Sequence, residues 1–132
     1  MDKFDICLVE SVNGISFGSD RAIVRNALGN NFKVFRKSRY SKNTTDDFGV
    51  CHVFYSSDDT LDAIEIFPGA AICVNSAEIS FEYPALIEWV KHLDPEAAAD
   101  SDGIVSKKLS IGVYAPYEQC ESILFGKQGY YK

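Results

Sequence analysis

The sequence predicts an α+β fold in which two main helices cover one face of a single antiparallel sheet. Apolar residues recur at three- and four-residue spacing over two segments, and each segment is followed by runs of β-forming residues separated by turn residues. The length of 132 residues, with 46% hydrophobic and 24% charged residues, suits one domain spanning 1–132. We therefore expect the chain to fold alone around one core.

The first half begins with a strand over 4–12, which has a mixed apolar pattern. A helix over 20–28 is expected next, because Ser19 or Asp20 can cap its start and Gly29 can end it in a left-handed conformation.

A strand over 32–36 and a polar loop over 38–49 lead into a hairpin with strands 50–55 and 61–67 and the turn 56–60. If this turn is symmetric, three pairs share one face of the hairpin: Tyr55 with Leu61, Val53 with Ala63, and Cys51 with Glu65. The buried face would then carry His52, Phe54, Ile64 and Ile66.

The second half is similar to the first in outline. After Pro68-Gly69 the chain runs through 70–74 to a helix that begins near Pro84 and ends at Asp94-Pro95, and an acidic loop over 96–103 follows. Two further strands are expected over 109–114 and 121–125. Because Ile79-Ser80-Phe81 repeats Ile15-Ser16-Phe17, the pattern suggests a duplicated helix-hairpin unit, over 14–68 and 78–126.

Charge is distributed unevenly along the chain. The net charge is −6, but residues 21–42 contain seven bases and no acid, whereas residues 43–106 contain thirteen acids and one base. Acidic proteins avoid nucleic acid on average and attract basic partners. The composition therefore favours a basic protein as the partner over a nucleic acid.

The sequence shows no signal peptide and no apolar run long enough to cross a membrane, which predicts a soluble, cytoplasmic protein. Four cysteines at irregular spacing, each within an apolar run, are expected to be buried thiols in a reducing compartment. With two histidines and no CxxC pair, no metal site is expected, and no cofactor is implied.

Two alternative sites are weighed against a binding function. A small enzyme could use Cys51 or Cys120 with His52 as the base, although a histidine inside a strand is more often a core or edge residue. An RNA-binding module could use the basic segment 33–42, which mixes cations with aromatic residues. The simpler explanation for that segment is an edge strand whose charges prevent edge-to-edge pairing.

The candidate partner-binding residues are one charged position on a sheet face and the acids expected around it. Glu65 interrupts an apolar strand, so a free sheet face with Tyr55 as an aromatic anchor suits protein recognition, unless a loop covers it. The expected acidic rim comprises Asp46, Asp47, Asp58, Asp59 and Asp62. A metal site at these acids is less favoured, since Asp58-Asp59 suits a tight turn.

Residues 14–68 carry a resemblance to a known group of proteins. The stretches are Gly14-Ile15-Ser16-Phe17-Gly18, Leu28-Gly29, the run Thr44–Tyr55 and the strand Ala63–Phe67. They are similar to small bacterial immunity proteins of polymorphic and contact-dependent growth-inhibition toxins. The glycine-bounded strand and helix also look like the repeat unit of β-lactamase inhibitor proteins and of small outer-membrane assembly lipoproteins. Without a signal before Cys7, the lipoprotein resemblance is the weaker one.

The resemblance implies a cytoplasmic inhibitor, with no catalysis of its own, that binds one cognate toxin C-terminal domain. Many such toxins are nucleases, whose substrate grooves are basic because they hold phosphates. An acidic inhibitor would imitate that substrate, with contacts expected at the loops 44–47, 56–60 and 94–102.

Overall fold

The computed structural model describes residues 2–132 and is mostly β, with 40% strand and 17% helix in two sheets. In chain order its elements are β1 Lys3–Cys7, β2 Ser11–Val12, β3 Ile15–Ser16, α1 Arg21–Leu28, β4 Lys33–Phe35, β5 Thr45–Asp47, β6 Cys51–Tyr55, β7 Leu61–Ile66, β8 Ala71–Val74, β9 Ala77–Ile79, α2 Tyr83–Leu93, β10 Ala98–Asp100, β11 Gly103–Ser106, β12 Ile111–Tyr114 and β13 Ser122–Gly126. A one-turn 3₁₀ segment, Pro116–Glu118, joins the last two strands.

The prediction of one antiparallel sheet with two main helices on one face is wrong, because a second sheet forms around a parallel pair. Strands β1 and β8 lie side by side with Phe4 opposite Ile72, and the order of this five-stranded sheet is β3-β2-β1-β8-β9. The predicted strand over 4–12 is divided by a turn in which Val9 has a φ of 57°. Pairing between segments so distant in sequence leaves no local signal.

The eight-stranded sheet has the order β10-β11-β12-β13-β7-β6-β5-β4. Each half of the chain supplies four consecutive strands, and the halves meet where β7 pairs antiparallel with β13. Each helix therefore precedes a four-strand meander, which is larger than the predicted unit of one helix and one hairpin. The basic strand β4 lies at one edge of the sheet, as the simpler explanation of its charges predicts.

Both helices are confirmed close to their predicted bounds. Helix α1 has Asp20 at its N-cap and ends at Gly29, whose φ of 101° suits a residue without a side chain. Helix α2 has Pro84 in its first turn and Asp94 at its C-cap. No helix within residues 2–132 is long and apolar enough to cross a membrane.

The core lies between the inner face of the large sheet and the layer formed by the small sheet and the helices. Its largest fully buried side chains come from both sheets and from α1 and α2, and they form one cluster that includes Phe4, Ile72, Val24, Leu86, Ile64, Ile123 and Phe125. One shared core holds both sheets together. The outer face of the large sheet does not take part in it and is available for binding.

The hairpin β6–β7 is confirmed, but its predicted register is wrong beyond Tyr55. Tyr55 opposes Leu61 as expected, and a β-bulge then shifts the pairing so that Val53 opposes Ile64 and His52 opposes Glu65. A shift of one residue exchanges the two faces of a strand. Glu65 consequently shares the outer face with His52 rather than with Val53 and Tyr55.

Candidate functional site

Asp46 lies inside the protein, not on the acidic rim predicted for it. Its side chain is 0% exposed, and both carboxylate oxygens are held by Arg25, at 2.8 Å from Nε to Oδ2 and 2.7 Å from Nη2 to Oδ1. The hydroxyl of Tyr55 donates to Oδ2 at 2.8 Å. Asp46 opposes Val53 and so points to the inner face, where α1 covers it. This ion pair joins the helix to the sheet.

Tyr55 is likewise part of the interior, not the exposed anchor expected from the sequence. It is 6% exposed, and the guanidinium of Arg21 lies 4.1 Å from its ring centroid. Burial and the hydrogen bond to Asp46 raise the pKa of its hydroxyl. While the fold is intact, neither Asp46 nor Tyr55 can contact a partner.

The charge asymmetry of the chain is thus used partly inside the molecule. Arg25 pairs with Asp46 on β5, and Arg21 contacts Asp59 in the hairpin turn at 2.6 Å through Nε. The hydrogen bond from Asn43, followed by that from Arg21, holds the pKa of Asp59 below its usual range. The seven bases of 21–42 therefore do not share one exposed face, as the RNA-binding alternative requires.

The other predicted rim residues lie in different places. Asp58 is exposed in the hairpin turn, where its backbone N–H donates to Ser56. Asp59 is exposed in the same turn and is paired with Arg21. Asp62 is partly buried, with Oδ1 2.8 Å from the Nζ of Lys127. The predicted acids therefore do not form one continuous surface.

Asp47 and Glu65 meet on the outer face of the large sheet, on either side of His52. The imidazole Nε2 lies 3.5 Å from Asp47, and Nδ1 lies 3.9 Å from Glu65. Ser122 on β13 donates to Glu65 at 2.7 Å. Asp47, His52 and Glu65 lie in one row across strands β5, β6 and β7. Leu124 is the residue of β13 opposite Glu65, so Ser122 reaches the carboxylate from a position two residues along that strand.

Three phenylalanine rings pack around the His52 ring in T-shaped orientations. Ring centroids lie 5.1 Å away for Phe35, 6.5 Å for Phe54 and 4.8 Å for Phe67. The ring is packed on the outer face and a quarter of its side chain is exposed. Contacts of this kind fix the position of the histidine.

The proposed pairing of Cys51 with His52 is not geometrically available. Adjacent residues of a strand point to opposite faces, and Cys51 lies in the core at 0% exposure. Burial raises the pKa of its thiol to about 12, and that of Cys120 to about 11. Neither thiol is activated as a nucleophile. The expectation that all cysteines are buried fails at Cys7, which is exposed.

A shallow groove opens on the outer face beyond Glu65. It has a volume of about 230 Å³, and its floor includes Gly112 on β12 beneath the phenol of Tyr131. A side chain at position 112 would meet the Tyr131 hydroxyl at 2.1 Å, so the glycine makes room for this tyrosine. Apolar walls come from Val105 and Leu124. We call this feature the glycine groove.

A second groove adjoins the first and is bordered by tyrosines and acids. Its lining residues are Tyr83, Ser101, Asp102, Tyr114, Pro116, Tyr117, Glu118 and Glu121. We call it the tyrosine groove; it shares Asp102 and Tyr114 with the glycine groove. Its lining, all within the described residues 2–132, contains no lysine or arginine.

The end of β12 and the loop that follows it present the exposed aromatic residues of this groove. Tyr117 is 98% exposed and Tyr114 is 51% exposed. Tyr117 and Glu118 both have a positive φ, of 58° and 60°, a backbone conformation that residues other than glycine rarely adopt. The N–H of Glu121 donates to the carbonyl of Tyr114 at 2.8 Å and closes the loop.

Of the three loops expected to make contact, one borders this surface. The acidic loop 94–102 contributes Asp102, whose carbonyl accepts the N–H of Ala115 at 2.7 Å. The loop between β12 and β13, which carries Tyr117, was missed by the sequence reasoning. A signal was present, because Pro116 and Tyr117 lie between the two predicted strands in a segment without apolar periodicity.

Within residues 2–132, no group of three or more metal-ligating side chains is close enough to hold a metal ion. Comparisons of the chain with protein-family models, with curated proteins and with solved structures find no match.

Proposed function

We propose that this protein is a binding inhibitor that neutralises a cognate toxin domain, as immunity proteins do, by docking a basic face of that domain on the tyrosine groove. The observation that carries this proposal is the pair of exposed tyrosines, Tyr114 and Tyr117, among three carboxylates. The inhibitor needs no chemistry of its own, because occupation of the toxin surface is sufficient.

The aromatic residues suit the role of anchors. A tyrosine offers a large contact area with only two side-chain torsions to fix, so its ordering on binding costs little entropy. Tyr117 has the most area to lose to a partner, since it is 98% exposed. The ring is already exposed in the free protein, on a loop closed by the hydrogen bond from Glu121 N–H to the Tyr114 carbonyl, which reduces the reorganisation needed for binding.

The charges favour a basic partner. Asp102, Glu118 and Glu121 border the tyrosine groove, and Asp100 borders the glycine groove beside it. An acidic surface of this kind attracts a basic face at a distance and speeds encounter, with an effect that salt screens. A toxin whose natural substrate is a nucleic acid has such a face, because it must hold phosphates.

The glycine groove extends this docking surface along the sheet. Because it shares Asp102 and Tyr114 with the tyrosine groove, a partner side chain can enter it while the partner backbone lies over Tyr117. Leu124 and Val105 would provide the apolar contact, and Glu65 lies at the end of the groove. Glu65 thus keeps its proposed role at the sheet face, without Tyr55.

The test is to co-express this chain with the toxin domain encoded immediately upstream of its gene, and to measure affinity for two tyrosine variants. Tyr117→Ala is expected to weaken the complex by about 2 kcal/mol, roughly thirtyfold, because it removes a central aromatic anchor. Tyr40→Ala is the matched control, since Tyr40 is 78% exposed on the basic segment. A Tyr117→Ala variant that binds as tightly as Tyr40→Ala would exclude the groove.

Stopped-flow measurements of association and dissociation rates test whether charge steers the encounter with the partner. Raising the salt concentration should slow association far more than it speeds dissociation. Glu118→Lys should slow association at low salt, whereas Glu10→Lys, an exposed acid on the β1–β2 turn, should change it little. Association rates that stay constant between low and high salt would refute electrostatic steering.

A further inference from the structure

A separate cleft of about 390 Å³ lies between the basic segment, the hairpin β6–β7 and the residues that follow β13. Four lysines line it, namely Lys37, Lys42, Lys127 and Lys132. Its one carboxylate is Asp62. This concentration of positive charge is unexpected in a protein with a net charge of −6.

The lysines of the cleft are mostly without acidic partners. Lys127 lies 2.8 Å from Asp62, but among residues 2–132 no carboxylate lies within 4 Å of Lys37 or Lys42. The Nζ of Lys37 instead lies 4.1 Å from the ring centroid of Phe54. Like charges repel one another across the cleft, and an anion would relieve that repulsion.

The remaining lining suits a small molecule with both phosphate and aromatic parts. Hydroxyl groups come from Ser41, Thr44 and Ser57, and aromatic surface comes from Phe54 and Tyr130. The volume is within the range of small-molecule sites, about 300–1,000 Å³. Tyr130 is held in place over Gly126, where any side chain would meet its Cβ at 2.8 Å.

We propose that this cleft binds a nucleoside phosphate. Lys37, Lys42 and Lys127 would hold the phosphate groups, and the base would lie against Tyr130. The cations come from two segments far apart in the chain, 37–42 and 127–132, and line one cleft, whereas a nucleic-acid strand needs cations along a track. Arg21 and Arg25, which could have extended such a track, are already paired, Arg25 with the buried Asp46 and Arg21 with Asp59 of the hairpin turn.

The test is calorimetric titration of the whole protein at low salt with ADP, inorganic pyrophosphate and adenosine. We expect ADP to bind, pyrophosphate to bind more weakly and adenosine not to bind. Lys37→Gln and Lys42→Gln should each weaken ADP binding about tenfold, since each removes a charge-assisted contact to phosphate. Lys33→Gln is the control, because Lys33 is an exposed base on β4 outside the cleft.

Several outcomes would overturn this assignment. No heat change with millimolar ADP would refute the site, as would an equal loss of affinity in Lys33→Gln. Pyrophosphate binding as tightly as ADP would refute the nucleoside part. A single-stranded oligoribonucleotide without a terminal phosphate that binds more tightly than ADP would refute the small-molecule assignment. Each variant is first checked for the parental unfolding temperature.

Discussion

Replacing Asp46 by asparagine tests the claim that this acid is an internal tie and not a contact for a partner. The substitution keeps the shape of the side chain and removes its charge. In the parent protein the Arg25 guanidinium binds both carboxylate oxygens of Asp46. In the variant it would face a neutral amide, and the Tyr55 hydroxyl would lose a charged acceptor. Because Asp46 is 0% exposed, water cannot replace the lost contacts.

The expected loss of stability is large. Removing one partner of a buried ion pair costs about 3–5 kcal/mol, because the other charge stays buried without compensation. Arg25 is only partly buried, with 30% of its side chain exposed, so the lower end of that range, about 3 kcal/mol, applies. Tyr55→Phe, which removes one hydrogen bond to the same carboxylate, should cost about 1.5 kcal/mol.

Urea denaturation monitored by circular dichroism measures both values. With an m-value of about 2 kcal/mol per molar urea, the Asp46→Asn midpoint should fall by about 1.5 M at an unchanged m-value. Asp58→Asn, in the exposed hairpin turn, is the control and should stay within about 0.5 kcal/mol of the parent. Equal urea midpoints for Asp46→Asn and Asp58→Asn would show that the Asp46 carboxylate does not stabilise the fold.

Two glycines and two cysteines give further predictions. Gly103→Ala should cost more stability than Gly112→Ala in thermal unfolding, because its Cβ would lie 1.8 Å from a backbone oxygen at a φ of 137°. The Cβ of Gly112→Ala would meet the phenol of Tyr131, a side chain that can move more readily than backbone. Equal losses would contradict this. Iodoacetamide at pH 8 should label the exposed Cys7 before Cys51, since burial raises the pKa of the Cys51 thiol to about 12. Mass spectrometry measures the two labelling rates, and equal rates would contradict the burial of Cys51.

Local signals in the sequence were sufficient for the helices and for the central hairpin. Gly29 and Pro84 mark a helix end and a helix start, and both act as predicted. The turn 56–60 correctly places Tyr55 opposite Leu61. These features depend on neighbours in sequence, which a pattern can report.

The errors arise where distant segments decide the outcome. The parallel pairing of β1 with β8 produces the second sheet, and the bulge beside Tyr55 moves Glu65 to the outer face. Asp46 has the composition of a surface residue, yet Arg25 reaches it from a helix that lies far away in sequence. A polar residue becomes buried when such a partner compensates for its desolvation, and the partner is visible only in three dimensions.

The tyrosine groove was beyond prediction for a related reason. Tyr114 is the last residue of β12 and is exposed although the three residues before it in the strand are buried, so its exposure follows from its place at the end of the strand. Tyr117 stands out only through its left-handed backbone, which the sequence Pro116-Tyr117-Glu118 does not require. The surface that supports the proposed function is therefore a product of the fold.

Hydrogen–deuterium exchange of this protein, alone and with the co-expressed toxin domain, is the most direct test of the proposed docking surface. If the toxin domain docks on the two grooves, binding slows exchange at the amides of 114–121 and of 100–103, which border them. Slower exchange confined to the hairpin turn 56–60 or to the basic segment 33–42, with 114–121 unchanged, would contradict it.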